Sequence, residues 1–62
     1  MRVSRATAAV IAEVTPARIS QLAESLGMRI EPDGTRTYEL ARVREFAAIR
    51  RARAVRAKAA AL

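Results

Sequence analysis

The sequence contains neither cysteine nor histidine, and these two absences remove several classes of function. Without thiols no disulfide can form, and without thiolate or imidazole ligands the common zinc sites are excluded. Serine and threonine have no imidazole base to activate them, and Gly27 and Gly34 are the only glycines, so no glycine-rich phosphate loop is present. We therefore expect no enzymatic activity, no catalytic residue, no cofactor and no metal.

Long hydrophobic runs are also absent. No stretch approaches the ~20 apolar residues that are needed to span a bilayer. The apolar segment 6–12 is too short and too rich in alanine for the core of a signal peptide, and Glu13 ends it. We therefore expect a soluble, cytoplasmic protein without a membrane partner.

The charge of the chain is strongly positive for its size. In 62 residues there is room for one domain with a modest core, and 12 Lys and Arg against 6 Asp and Glu give a net charge of +6. Residues 32–62 hold most of this excess, with eight basic and three acidic residues, and eleven of the twelve cations are arginine. Because arginine suits bidentate phosphate contacts, the charge favours a polyanionic partner over a merely solubilising surface.

The first half of the chain predicts two short helices that abut. Segment 4–14 has Ser4 as its N-cap and places apolar residues at helical spacing, namely Ala6, Val10, Ile11 and Val14. Thr15 followed by Pro16 is a strong helix start, because threonine caps free amides and proline loses nothing at the first position. The second helix runs to Leu26 and buries Ile19, Leu22, Ala23 and Leu26, and Gly27 stops it. Two short abutting helices are typical of a helix-turn-helix.

A short β-hairpin is predicted after Gly27. Residues 28–30 and 35–38 alternate in polarity, and Glu31-Pro32-Asp33-Gly34 lies between them with strong turn chemistry. Tyr38 shares the strand parity of Arg36, and we expect its ring to pack in the core while its hydroxyl reaches out to a phosphate.

From Leu40 onward the chain is predicted to be helical. One side of this helix carries the larger apolar groups together with two alanines, in the set Leu40, Val43, Phe46, Ala47 and Ala54. We divide the chain into a domain at 1–50 and a basic Ala/Arg-rich helical extension at 51–62. The extension has three interpretations: a solvated helix, a dimer helix with a thin seam at Ile49, Ala52, Val55 and Ala59, or, least favoured, a membrane-surface helix. Its helix lacks a glycine stop, which predicts the N-terminal domain of a longer protein.

The second helix is the candidate recognition helix. Its buried stripe turns Arg18 and Gln21 outward, and these two side-chain types pair bidentately with guanine and adenine edges. Small neighbours would let the helix enter a major groove, so the predicted base-readout set is Ala17, Arg18, Ser20 and Gln21. The predicted contacts to the DNA backbone are Arg5, Thr15, Thr35, Arg36, Tyr38, Arg42 and Arg44. An ordinary amphipathic helix with a solvated face is the alternative, and Glu24 counts in its favour.

Residues 6–50 resemble the MerR-like winged helix-turn-helix superfamily. The residues that carry the resemblance are Ala9, Val14, Thr15 and Ile19 in the helical pair, and Gly34, Arg36, Tyr38, Val43, Phe46 and Ile49 from the wing onward. The resemblance implies that Arg36 and Tyr38 contact phosphates and that residues 16–21 enter the major groove. Glu13 departs from the pattern, because glycine is usual at this point of the turn. No effector domain follows, so we expect no small-molecule effector within the chain.

These observations predict a mainly α fold with a small β-hairpin, arranged as a winged helix-turn-helix. The expected function is sequence-specific binding of double-stranded DNA, as a homodimer or an array on repeated sites, at the nucleoid or a plasmid. A transcriptional regulator and a plasmid or chromosome partition factor fit equally well. The alternatives are a phage excisionase, a small-terminase DNA-binding domain, or a protein-interaction adaptor with a degenerate winged helix whose basic terminal helix binds an acidic partner.

Overall fold

A computed structural model describes residues 1–60, and residues 61 and 62 of the predicted extension lie outside the described residues. Three helices pack with a small three-stranded antiparallel sheet. In chain order the elements are β1 (Arg2–Ser4), α1 (Arg5–Ala12), α2 (Pro16–Gln21), β2 (Arg29–Ile30), β3 (Arg36–Glu39) and α3 (Leu40–Ala60). The predicted order of helices and hairpin is confirmed, and β1 is an element that the sequence analysis did not predict.

Both helix starts form as their sequences predict. Ser4 caps α1 by accepting a hydrogen bond from the Thr7 amide, and Thr15 caps α2 by accepting one from the Arg18 amide. Pro16 occupies the first turn of α2, where its missing N–H costs nothing. Local capping chemistry therefore fixes where both helices begin.

The connection between α1 and α2 passes through a left-handed residue. Glu13 has a φ of 57°, and it is the one non-glycine residue of the described chain with positive φ. Its amide donates back to the carbonyls of Ala9 and Val10, which closes the end of α1. A side chain in this conformation costs roughly 1–2 kcal/mol, so the tight turn carries local strain.

Two expectations for the helices are wrong in detail. Regular α2 ends at Gln21 instead of Leu26. In the turns that follow, several hydrogen bonds join residues three apart in the sequence instead of four, such as Leu22 N–H to Ile19 O and Gly27 N–H to Glu24 O. Gly27 ends the segment with a φ of 64°, as predicted. In α1 the buried face is Ala8, Ala9 and Ala12, whereas Ala6 and Val10 are exposed, Val10 by 77%. Small alanines let α1 approach α3 closely, and that contact decides which face is buried.

The sheet has one face toward the helices and one away from them. Strand β3 lies between β1 and β2, with Val3 opposite Tyr38 and Ile30 opposite Arg36 on the helix-facing side. Tyr38 is fully buried there with Ile19 and Val43, so the prediction that its ring is part of the core is confirmed. Arg2, Arg29 and Thr37 have the opposite parity and lie on the outer face.

Helix α3 begins directly after β3 and extends well beyond the core. Val43 and Ala47 are buried and Phe46 is half-buried, as the predicted apolar side requires, but Ala54 is exposed because this part of α3 lies past the core. All residues from 51 to 60 are exposed helix. The projecting helix gives the molecule its elongated dimensions of 50 × 19 × 17 Å.

Candidate nucleic-acid interface

The outer surface of α2 presents the side chains that the sequence analysis assigned to base readout. Ile19 is fully buried, and this fixes the rotation of the helix so that Ala17, Arg18 and Gln21 are exposed. Arg18 Nη1 donates a hydrogen bond to Gln21 Oε1 over 3.1 Å. The two long polar side chains therefore form one hydrogen-bonded unit on the surface of α2.

Arg5 connects α1 to α2 across the surface. It is the first residue of α1, and its Nη1 donates to Ser20 Oγ over 3.3 Å. Ser20, the fourth residue predicted for base readout, is only partly exposed and already accepts this bond. The structure thus gives Ser20 a role in positioning Arg5.

An open cleft separates the start of α1 from the tip of the hairpin. Its volume is about 550 Å³ and its lining consists of Ser4, Arg5, Ala6, Gly34, Thr35 and Arg36. Arg5 and Arg36 are both exposed, and both line this one cleft. Three of the residues predicted to contact the DNA backbone, Arg5, Thr35 and Arg36, are therefore brought together from distant parts of the sequence.

The tip of the hairpin holds an acidic residue beside this cleft. Asp33 Oδ1 accepts hydrogen bonds from the Thr35 hydroxyl at 2.7 Å and from the Thr35 amide at 3.0 Å. These bonds, the hydroxyl first, hold the pKa of Asp33 below the ordinary value of an aspartate. Because the Thr35 hydroxyl already donates to Asp33, it is not free to donate to a phosphate in this arrangement.

On the outer face of the sheet the cations are paired with carboxylates of the same face. Arg2 donates to Thr37 Oγ1 and to the carbonyl oxygens of Gly27 and Thr37, and it lies 3.8 Å from both Glu31 and Glu39. Arg29 also pairs with Glu31, and the N-terminal ammonium pairs with Glu39. The sequence analysis missed this network, although the alternation of Arg2-Val3-Ser4 was a weak signal for the strand that carries it.

The arginines on the helix side of the molecule lack such partners. Within residues 1–60, every ion pair closer than 4.0 Å involves Arg2, Arg29 or the N-terminus. Arg5, Arg18 and Arg36 accordingly have no carboxylate at that distance in the described chain. Their charge is available to an anionic ligand.

The predicted contact between the Tyr38 hydroxyl and a DNA phosphate does not fit the structure. The whole residue is inaccessible to solvent, and its hydroxyl is buried without a hydrogen-bond partner among the described residues. A phosphate cannot reach the hydroxyl in this fold, because the tyrosine points into the core from the central strand. Tyr38 is therefore a core residue of the described chain, and the predicted phosphate contact of its hydroxyl does not fit this fold.

The remaining residues that were predicted to contact the DNA backbone are spread over the molecule. Thr15 is exposed at the start of α2, where its hydroxyl oxygen accepts the capping bond. Arg42 lies beside Gly27, in a groove with the turns that follow α2. Arg44 is exposed and points about 160° away from Arg42 around α3. The structure does not unite Arg42 and Arg44 with the cleft at Arg5 and Arg36.

No helix among residues 1–60 has the length and apolarity needed to cross a membrane. Over the same residues, no group of three acidic side chains is placed to hold a metal ion. No protein-family model, curated protein or solved structure matches this chain.

Proposed function

We propose that this chain is a winged helix-turn-helix module that binds double-stranded DNA. In this proposal α2 enters the major groove and the β2–β3 hairpin is a wing that lies on the adjacent phosphate backbone. A transcriptional regulator and a plasmid or chromosome partition factor would both use such a module. The MerR-like resemblance of residues 6–50 is consistent with this arrangement.

The observation that carries the proposal is the position of Arg5 between α2 and the hairpin. Arg5 Nη1 is hydrogen-bonded to Ser20 Oγ of α2, and Arg5 also lines the cleft with Thr35 and Arg36. Arg5 therefore connects α2 with the tip of the hairpin. Because a duplex presents a major groove flanked by phosphates, an exposed helix face beside a cleft lined by two arginines suits its surface.

The charge distribution supports the same orientation. Arg5, Arg18 and Arg36 are exposed and unpaired by carboxylates of the described chain, whereas Arg2 and Arg29 on the outer face of the sheet are paired with Glu31. Phosphate contacts supply most non-specific affinity for DNA, and arginines that already pair with carboxylates contribute less to it. The helix side, and not the outer face of the sheet, is the side that we place on DNA.

Specificity would come from the exposed side of α2. Arg18 and Gln21 are the residue types that read guanine and adenine edges in the major groove. A single module of this size buries little surface, roughly 600–1,000 Å². Useful discrimination between sites therefore requires several copies on repeated sites or a homodimer.

The test is fluorescence anisotropy of a labelled duplex titrated with the full chain at several salt concentrations. The logarithm of the binding constant should fall linearly with the logarithm of salt concentration, and the slope should correspond to the neutralisation of several phosphates. Binding that ignores salt, or no binding at low salt, would overturn the proposal.

A matched pair of variants locates the surface. Arg5→Ala should weaken binding about fivefold and reduce the salt slope by about 1, because it removes a phosphate contact. Arg29→Ala removes the same charge from the outer face of the sheet and should change the affinity less than about twofold. Equal losses for both variants would place DNA elsewhere.

A further inference from the structure

A second surface of the molecule is an open groove between α3 and the turns that follow α2. Its volume is about 370 Å³, and its lining consists of Leu22, Ser25, Leu26, Arg42, Glu45, Phe46, Ile49, Arg50 and Arg53. It shares no residue with the cleft at Arg5 and Arg36. A function of this groove is therefore separable from the proposed DNA contact.

The α3 wall of the groove is one face of the helix over three turns. The lining residues of α3 recur every three or four positions, at 42, 45, 46, 49, 50 and 53. The twelve residues of α-helix from 42 to 53 are separated by eleven steps and span about 17 Å from first to last. A groove of this length and openness suits a helical segment better than a compact small molecule.

The floor of the groove is apolar and incompletely covered. Leu26 is buried at its base and Phe46 and Leu22 are half-buried, but Ile49 is 47% exposed. These side chains lie together in a cleft open to solvent. Apolar anchors of a ligand would gain free energy by covering them.

The rim of the groove is cationic. Arg42, Arg50 and Arg53 surround the floor, and Glu45 is the single carboxylate in the lining. Arg50 lies over the Phe46 ring, with its guanidinium carbon 5.9 Å from the ring centroid. No ion pair within residues 1–60 engages these three arginines. Charge complementarity therefore requires carboxylates on the ligand.

A second copy of this chain is a poor match for that rim. From residue 50 to residue 58 the helix carries five cations and no carboxylate, in the set Arg50, Arg51, Arg53, Arg56 and Lys58. Packing this part of another copy along the groove would bring its five cations beside Arg42, Arg50 and Arg53, with Glu45 as the single carboxylate of the lining. This repulsion argues against the thin seam at Ile49, Ala52, Val55 and Ala59 as a self-association surface.

We infer that this groove binds an acidic amphipathic helix of a partner protein. Apolar side chains at helical spacing cover Phe46 and Ile49, and Asp or Glu residues beside them pair with Arg50, Arg53 and Arg42. This is helix-in-groove recognition, in which apolar anchors supply affinity and charge-assisted hydrogen bonds set orientation. The inference goes beyond the DNA contact, because it assigns a separate groove, between α3 and the turns that follow α2, to a protein.

The probe for the test is a fluorescein-labelled peptide of about fourteen residues, with Leu at spacings of three and four and Glu at the flanking positions. We expect saturable binding to the full chain, measured by anisotropy without DNA. A scrambled peptide of the same composition keeps the charge but loses the apolar face, and it should bind at least about tenfold more weakly. Equal binding of both peptides would overturn the inference, because it would show charge attraction alone.

Matched variants place the peptide in the groove. Arg53→Glu should weaken binding about tenfold, whereas Arg51→Glu makes the same charge change about 160° away around α3 and should weaken it less than about threefold. Ile49→Asp should abolish the preference over the scrambled peptide, with circular dichroism confirming that the exposed position tolerates the change. Equal effects of Arg53→Glu and Arg51→Glu would overturn the inference. So would sedimentation showing a dimer that Ile49→Asp dissociates, which would assign the groove to a second copy.

Discussion

Arg18 and Gln21 are hydrogen-bonded to each other across one turn of α2, with 3.1 Å between Nη1 and Oε1. Both side chains are exposed, so this bond is made at the surface and holds the two groups side by side. In contact with a base edge, the Arg18 guanidinium and the Gln21 amide would replace this hydrogen bond with hydrogen bonds to the base. The pair therefore places a donor and an acceptor next to each other on the exposed side of α2.

The first prediction separates base readout from phosphate anchoring. Arg18→Ala should reduce the discrimination between a preferred and a mutated DNA site by about 1–3 kcal/mol, because it removes a base-edge contact. Arg36→Ala should weaken all duplexes alike, because it removes a phosphate contact in the cleft. Anisotropy with paired duplexes measures both.

The hydrogen bond between Arg18 and Gln21 adds a further expectation to that experiment. In the double variant the losses should not add, since either single change already disrupts the pair. The assignment of α2 to base readout is wrong if Arg18→Ala and Arg36→Ala reduce affinity for every duplex by the same factor.

The second prediction concerns Asp33 at the tip of the hairpin. Asp33→Asn keeps an oxygen that accepts from Thr35 but removes a negative charge beside the cleft of Arg5 and Arg36. We expect DNA affinity to rise about twofold to fivefold at low salt, and the gain to fade as salt screens the charge. An unchanged affinity at low salt would show that the hairpin tip stays away from phosphates.

The same carboxylate predicts a pH dependence. Hydrogen bonds from the Thr35 hydroxyl and amide lower the pKa of Asp33 in the folded chain. The stabilisation is therefore fully present above the unfolded pKa of about 3.9 and is lost as pH falls through the lower folded value. The Thr35 amide resonance should titrate with a midpoint below about 3.9, and a midpoint above it would contradict the geometry.

The third prediction concerns the buried hydroxyl of Tyr38. Tyr38→Phe should leave DNA affinity unchanged and raise the free energy of unfolding by about 1 kcal/mol, because a buried hydroxyl without a partner is costly. Urea denaturation followed by circular dichroism measures the stability, and anisotropy measures the affinity. A loss of DNA affinity with intact stability would restore Tyr38 to the phosphate-contacting set.

The fourth prediction concerns the strained turn before α2. Glu13→Gly should raise the free energy of unfolding by about 0.5–1 kcal/mol, because glycine adopts positive φ without steric cost. Glu24→Gly is the matched control: Glu24 is also exposed but lacks positive φ, so glycine there should lower stability by about 0.5–1 kcal/mol. Urea denaturation of both variants distinguishes a conformational effect from the loss of a carboxylate, since a charge effect alone would shift both in one direction.

Local chemistry made much of this fold predictable from the sequence. The caps at Ser4 and Thr15 and the left-handed stop at Gly27 depend on bonds that reach only a few residues along the chain. The hairpin likewise follows from the turn at Pro32-Asp33-Gly34. Such features depend on residues that are close in the sequence, so they can be predicted without knowledge of the rest of the molecule.

The candidate site was only partly predictable, for the same reason. Exposure of Arg18 and Gln21 followed from the helical period once Ile19 was placed inside. The hydrogen bond of Arg5 to Ser20 joins residues fifteen apart in the sequence, and no local sequence pattern predicts it. Tyr38 was placed in the core correctly, but the burial of its hydroxyl depends on how completely the helices cover the central strand.

The sequence by itself determined the kinds and order of the helices and hairpin, the caps that begin the helices and the glycines that end segments, because these are local in the chain. Tertiary structure decided that residues 2–4 form a third strand against β3, that alanines form the buried face of α1, and that α2 ends early. It also decided that Arg5 and Arg36 share a cleft while Arg42 lines a separate groove. These outcomes join residues far apart in the chain, and their free energy depends on the packing of all the elements together.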